Sequence, residues 1–179
     1  MYLSRIVINS HDTYEQHQAV WKLFPNTPER KRDHLFRVEE RRGNSCIVLL
    51  QSSTAPKSCD FVKVTASKQF STKLSEGSYY KFKLVAYPTK CLSQGKKVIE
   101  IHDISAQVEW LQRKLVGANV QVTATDDFLV SSKKSYSSRF VCFEGILQVL
   151  NPHSVEQALV MGIGRKKHAG AGLLSLARI

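Results

Sequence analysis

Tyr14 and His17 stand three residues apart in the segment Thr13-Tyr14-Glu15-Gln16-His17, with Trp21 four residues further on. At about 100° per residue a helix carries all three on one side and sets Val20, Leu23 and Phe24 in an adjoining apolar stripe. An imidazole changes charge near neutral pH, so it can take or give a proton in water. Beside a phenol, such a ring suits the cleavage of RNA by transesterification, in which a ribose 2′-OH attacks the adjacent phosphate and a 5′-oxygen leaves. That reaction needs proton transfer and neutralisation of charge on the phosphorane, and it needs no metal, because the nucleophile belongs to the substrate. For a lone histidine the safer reading is a half-buried ring that satisfies a backbone carbonyl, and His17 carries that reading beside the functional one. Lys22 is the nearest lysine and a candidate to stabilise the phosphorane. It lies roughly 140° around the helix from His17, so a solvated lysine is an equal reading.

The charge balance says what kind of partner such chemistry would meet. Lys and Arg number 26 against 15 Asp and Glu, a formal net charge of +11. Residues 57–97 hold Lys57, Lys63, Lys68, Lys73, Lys81, Lys83, Lys90, Lys96 and Lys97 against Asp60 and Glu76 alone. Clusters with so few compensating acids fit a polyanion better than a merely solvated face does. Lys133, Lys134 and Arg139 bracket a serine-rich link that reads as a basic hairpin tip able to enter the groove of an RNA duplex, or equally as an exposed hairpin whose lysines blunt an edge. Arg113 and Lys114 fall on the polar side of a later helix and are further phosphate-contact candidates. The run Gly162-Ile163-Gly164-Arg165-Lys166-Lys167-His168-Ala169-Gly170-Ala171-Gly172 offers glycines for close backbone approach and turns whose N–H groups form anion nests, beside which Lys167 can hold a phosphate. It matches neither a Walker A loop nor the dinucleotide fingerprint, which argues against nucleotide hydrolysis.

Other classes are excluded more simply. The hydrophobic content of 42% supports a core, so the chain is not disordered throughout. No apolar run approaches a membrane span, and no leader pattern follows Met1, which predicts a cytoplasmic protein with no membrane partner. Cys46, Cys59, Cys91 and Cys142 lie far apart and read as reduced core thiols, and the six histidines show no metal-ligand spacing. No metal and no cofactor are expected.

The elements that must position these residues read as two halves of one pattern. Tyr2 to Ile8 is a strand, Asp12 and Glu15 make a helix-start signature, and the helix runs from about Thr13 to Phe24 before Pro25. His34 to Glu40 and Cys46 to Gln51 form a hairpin. Pro56 to Gln69 is weakly patterned and fits a short helix or irregular turns. Tyr79 to Val85 alternates Tyr80, Phe82 and Leu84 with Lys81 and Lys83, so one face is buried and the other basic. After Pro88 the second half reads as a weak strand at Val98 to Ile101 and a helix over Ser105 to Val116. Extended runs follow from Val120 to Ala124, Phe128 to Val130 and Phe140 to Val149. An Asn151-capped helix then runs to Met161, and a last strand covers Leu173 to Ala177. Each half approximates βαββαβ, predicting an α+β protein of two tandem ferredoxin-like (RRM-like) domains, 1–88 and 89–179, the first carrying the catalytic helix. No aromatic RNP1 strand is present, which disfavours stacking recognition of single strands.

The motifs taken together resemble a known family. Met1-Tyr2-Leu3-Ser4, Tyr14-Glu15-Gln16-His17 with Trp21 to Pro25, Leu49-Leu50-Gln51-Ser52, Trp110 to Leu115, Phe143-Glu144-Gly145 and the glycine-rich segment running into Leu173-Leu174-Ser175-Leu176 resemble, in the same order, the CasE family of CRISPR repeat-processing endoribonucleases. The resemblance implies cleavage at the 3′ base of a stem-loop in a CRISPR repeat transcript, with 5′-hydroxyl and 2′,3′-cyclic or open phosphate ends. It also implies retention of the product within the Cascade surveillance complex, whose other subunits become partners. It implies Tyr14 and His17 as the catalytic pair and Lys22 as an assisting lysine. Lys90, the Lys133 to Arg139 hairpin and Lys167 match basic positions or regions of the family that embrace the RNA, and Arg165 and Lys166 beside Lys167 are further RNA-binding candidates. Val85-Ala86-Tyr87-Pro88 departs from the family's usual Arg-Ala-Asn-Pro, and the link and hairpin are short. A non-catalytic scaffold that caps a stem-loop is the competing reading, and a DNA-binding or nucleotide-dependent regulator lacks a recognition-helix or P-loop pattern.

Overall fold

The computed structural model describes residues 1–95, 97–132 and 135–179, and of residues 132–136 the backbone path at most. The chain divides into two compact units. The first comprises Met1–Ser71, Ser131–Ser137 and Lys167–Gly170, the second Thr72–Val130, Ser138–Lys166 and Ala171–Ile179.

In the first unit β1 (Tyr2–Ile8), α1 (Thr13–Trp21), β2 (His34–Arg42), β3 (Ser45–Ser52) and β4 (Val62–Gln69) follow one another. The strands form one antiparallel sheet in the order β2-β3-β1-β4. Ile6 sits opposite Val48 on β3 and Val64 on β4. With Ile8, Val20, Leu23, Phe24, Phe36 and Leu50 it belongs to a buried apolar cluster that fixes α1 on the sheet. The helix begins where the sequence places it: the Asp12 carboxylate accepts from the backbone N–H of Tyr14 and Glu15 at 3.1 and 3.0 Å, satisfying donors that have no partner inside the helix. Regular helix stops at Trp21, and Leu23 and Phe24 continue as a tightened turn whose N–H groups bond the carbonyls of Val20 and Trp21.

The second unit holds β5 (Tyr79–Ala86), a two-stranded ribbon of β6 (Thr89–Cys91) and β7 (Val98–Glu100), α2 (Ile104–Lys114), the long hairpin strands β8 (Ala118–Ser132) and β9 (Ser135–Val149), α3 (Pro152–Met161) and β10 (Leu174–Arg178). Its sheet runs β10-β5-β9-β8. The α+β architecture expected from the sequence, two four-stranded sheets of tandem ferredoxin-like folds, is present. Trp110, Leu111 and Leu115 at the end of α2 and Val155 and Leu159 of α3 join Phe82, Leu84, Phe143 and Leu147 in a dry core.

The structure corrects the expected boundary after Pro88. The alternating strand Tyr79–Ala86, assigned from sequence to the first half, pairs with β9 and β10 in the second sheet. The fourth strand of the first sheet is Val62–Gln69, where a short helix or turns were expected. Its physical signal is brief: Val62 and the half-buried Val64 alternate with the exposed Lys63 and Thr65, just enough to cover the outer side of β1. The expected strand at Val98 to Ile101 joins neither four-stranded sheet; among the described residues its partner is β6, in a two-stranded sheet. None of the four cysteines is in a disulfide; Cys46 is buried, Cys59 is half-buried against the first unit's core and Cys142 is half-buried, whereas Cys91 is exposed and is not a core thiol.

Candidate active site

His17 lies on α1 at the centre of an imidazole and aromatic cluster within the first unit. Its ring meets Trp21 edge-on at 6.3 Å between centroids and His168 at 6.0 Å. Trp21 in turn meets His34 at 5.0 Å, and His34 stacks on Phe24 at 5.2 Å. His168 arrives from the far end of the chain on a short 3-10 turn, Lys167–Ala169, that packs against α1 and β2. Gly170 makes this packing possible. Its φ is +92°, and a Cβ there would stand 3.3 Å from the Phe36 ring of β2.

Electrostatics set the state of these rings. Burial above all, then the charges of Arg32 and His168, hold the His17 imidazole below its ordinary value of 6.5, so it is neutral at pH 7 and can accept a proton. Its Nδ1 is buried with no hydrogen-bond partner among the described residues, which leaves Nε2 as the nitrogen to meet a substrate. His34 is pushed further, down to about 4, by burial and Arg32 against the opposing pull of Asp33. It is a packing residue: only 4% exposed, it lies between Trp21 and Phe24.

Tyr14 is where the helical spacing puts it, exposed, one turn before His17, its hydroxyl accepting a 2.8 Å hydrogen bond from the Gln18 side chain. Lys22 is elsewhere. It caps the C-terminal end of α1, and its ammonium sits 3.8 Å from the centroid of the Phe61 ring, in a cleft of about 260 Å³ with Glu15, Gln18 and Asp60 among its walls and neither Tyr14 nor His17. The structure therefore does not bring Lys22 to His17. The cation whose charge reaches His17 is Arg32, an exposed residue in the approach to β2.

The expected RNA-binding residues separate into groups. Lys90, Lys114 and Arg165 line one cavity of about 360 Å³ in the second unit, walled also by Thr89, Trp110 and Gly164. Gly164, at φ +75°, lies so near that a Cβ would come within 3.1 Å of Trp110. Arg113 is exposed on α2 beside this group but does not line the cavity. Arg139 pairs with Asp127. Lys166 adopts φ +58°, donates a 2.5 Å hydrogen bond to Ser138 Oγ and lies over the Tyr87 ring at 4.9 Å, so it is spent inside the second unit. Lys167 stands next to His168 in the first. Lys133 and Lys134 lie outside the described residues. Among the described residues no group of three or more His, Cys, Asp or Glu side chains is placed to hold a metal ion, and no helix is long and apolar enough to cross a membrane.

Sequence reading did not anticipate His168, His34 and Arg32. His168 carried one usable signal, its place inside the glycine-rich run, whose turns had already marked a site of close approach.

Two ferredoxin-like sheets, one bearing a histidine cluster on a capped helix and the other a cavity walled in part by Lys90, Lys114 and Arg165, define the class: an α+β protein of tandem ferredoxin-like folds. The chain belongs to the CRISPR associated protein family, whose model matches residues 1–178. It is 36% identical to the CRISPR system Cascade subunit CasE of Escherichia coli K12, with 99% of each chain covered. It is 29% identical to the CRISPR-associated endoribonuclease Cse3 of Thermus thermophilus, over 99% of this chain and 100% of that one. Among solved structures it is similar to the crystal structure of Cas6e from E. coli K-12, at a TM-score of 0.84, 35% identity and full coverage of both chains. It is also similar to a Cse3 endoribonuclease bound to a 19-nucleotide RNA, at 0.83 and 28% identity, over 99% of this chain and 100% of that one.

Proposed function

We propose that this chain is the endoribonuclease that cuts CRISPR repeat stem-loops out of precursor CRISPR RNA and then stays on the 3′ hairpin of the product as a Cascade subunit, in the cytoplasm. The observation that carries the reading is His17. It is a half-buried imidazole kept neutral by its surroundings, on a full-length relative of a Cascade subunit and of a CRISPR endoribonuclease.

His17 takes the proton of the ribose 2′-OH as general base. The new O2′–P bond forms, the P–O5′ bond breaks, and the products are a 2′,3′-cyclic phosphate and a 5′-hydroxyl. Tyr14 assists by donating its hydroxyl proton in a hydrogen bond to a phosphoryl oxygen. Arg32, not Lys22, is the cation nearest in effect to the reacting phosphate. No metal is needed, because the attacking oxygen is the substrate's own. Lys90, Arg113, Lys114, Lys133, Lys134, Arg139, Arg165 and Lys167 hold the RNA backbone, and affinity falls with salt as neutralised phosphates release counterions.

The test is single-turnover cleavage of the repeat RNA from the source locus in excess EDTA. Wild-type protein cuts once at the base of the stem. His17→Ala cuts about 10²- to 10⁴-fold more slowly, the usual worth of a positioned general base, and binds with unchanged affinity. A protein that shifts this RNA without shortening it is the non-catalytic scaffold instead.

A further inference from the structure

The reaction just described releases an alkoxide unless something protonates O5′. We propose that His168 is the general acid: a second imidazole, brought to His17 from the other end of the chain, that donates its proton to the departing 5′-oxygen. The inference rests on the reading of this chain as a transesterifying ribonuclease.

Three observations carry it. The two rings lie 6.0 Å apart between centroids. At that separation the rings touch edge-on, so a phosphate served by both lies across the pair, each ring reaching its own oxygen through a hydrogen bond of about 2.6–3.2 Å. Their planes are 83° apart, so the rings are not stacked face to face and their nitrogens need not address the same oxygen. His168 is exposed where His17 is half-buried, so it can be reached by substrate without any rearrangement of the core. The placement is also built. Gly170, held at φ +92° against Phe36, sets the 3-10 turn on α1 and β2, and Lys167 precedes His168 on that turn, where a phosphate would lie.

The step balances. His17 Nε2 gains the 2′-OH proton as O2′–P forms. P–O5′ breaks as His168 gives its proton to O5′. His17 then holds one proton more and His168 one fewer, and exchange with water restores both. The charged and titratable groups around the pair are Arg32 and His34, which act on His17, Tyr14 one turn before it on α1, and Lys167 next to His168. Arg32 and Lys167 favour a phosphate at the pair.

A leaving group that needs no proton separates this inference from the parent reading. Single-turnover cleavage is measured on the repeat RNA and on the same RNA with sulfur replacing the bridging 5′-oxygen at the scissile linkage. Thiols ionise near pH 8.5, far more readily than alcohols. His168→Ala and His168→Gln are expected to cut the oxygen substrate about 10²-fold more slowly and the sulfur substrate at the wild-type rate, with RNA affinity unchanged. His17→Ala stays slow on both. If the His168 variants keep the wild-type rate on oxygen, or lose as much on sulfur as on oxygen, His168 is not the acid. If His17→Ala cuts both at the wild-type rate, the parent reading fails whatever His168 does.

Discussion

The two units share a four-stranded antiparallel plan and differ in what they bury. In the second, the interior is apolar almost throughout, from Phe82, Leu84, Phe143 and Leu147 on the sheet to Trp110, Leu115 and Leu159 on the helices. In the first, one helix covers the sheet, and the interior admits Ser4, Thr13, Gln16, His34, Arg37, Gln51 and Ser52. Gln16 shows how such groups are accommodated: its side-chain amide donates to the Ser10 carbonyl at 3.0 Å and to Cys46 Sγ at 3.4 Å. Others, such as Nδ1 of His17 and of His34, have no hydrogen-bond partner among the described residues. Buried polar atoms left unpaired lower stability, and here they surround the proposed chemistry. The two halves thus differ: a dry half, apolar inside, carries a cation-lined cavity, and a wetter half, with polar groups inside, holds rings in perturbed states.

Attacking the dry half should cost the most stability. Phe143, fully buried and opposite Leu84 on β5, should on replacement by alanine remove about 3–5 kcal/mol in urea titrations, while protein still folded keeps its cleavage rate. A loss below about 1 kcal/mol, outside the usual range for such a truncation, would erase the contrast between the two interiors.

The wetter half should be the one that answers to acid. The unfolded chain protonates His34 near 6.5 and the folded chain only near 4. The folded state is therefore fully stable with respect to this group above pH 6.5 and loses stability as pH falls toward 4, by about 3 kcal/mol at about 1.4 kcal/mol per pKa unit. His34→Phe should remove that share of the slope, read by urea midpoints across the window. An unchanged slope would mean the ring is hydrated in the folded protein.

The smallest effect is expected at Lys22. Replacing it with alanine forfeits the contact with Phe61, about 0.5–1 kcal/mol at an exposed site, and should leave single-turnover cleavage unchanged. A rate loss of roughly tenfold or more, about 1.4 kcal/mol of transition-state stabilisation, would show that this ammonium leaves Phe61 for the phosphate.

What could be read in advance was what local physics controls. The Asp12 cap and the Pro25 stop frame α1, period-two alternation marks Tyr79–Ala86, and Asn151 with Pro152 starts α3; each signal spans a few residues and survives any tertiary context. The pairing of strands is set at long range, and there the reading failed. Tyr79–Ala86 alternates just as well for either sheet, and nothing near it says that Leu174–Arg178 and Ser135–Val149 are its neighbours. Val62–Gln69 carries only two valines of signal. Tyr14 and His17 were legible because one helical turn joins them. His168 is brought in by a turn that Gly170 and Phe36 fix from opposite ends of the chain, and Lys22 is drawn away by Phe61, a residue remote in sequence and chosen by packing.

The central claim is that the substrate's own 2′-hydroxyl is the nucleophile and His17 its base. The direct measurement is single-turnover cleavage of a repeat RNA carrying one 2′-deoxynucleotide immediately 5′ to the scissile phosphate, compared with the all-ribose RNA at equal binding. The predicted result is an RNA bound as tightly and left uncut; cleavage of the deoxy-substituted strand at the all-ribose rate would contradict the account.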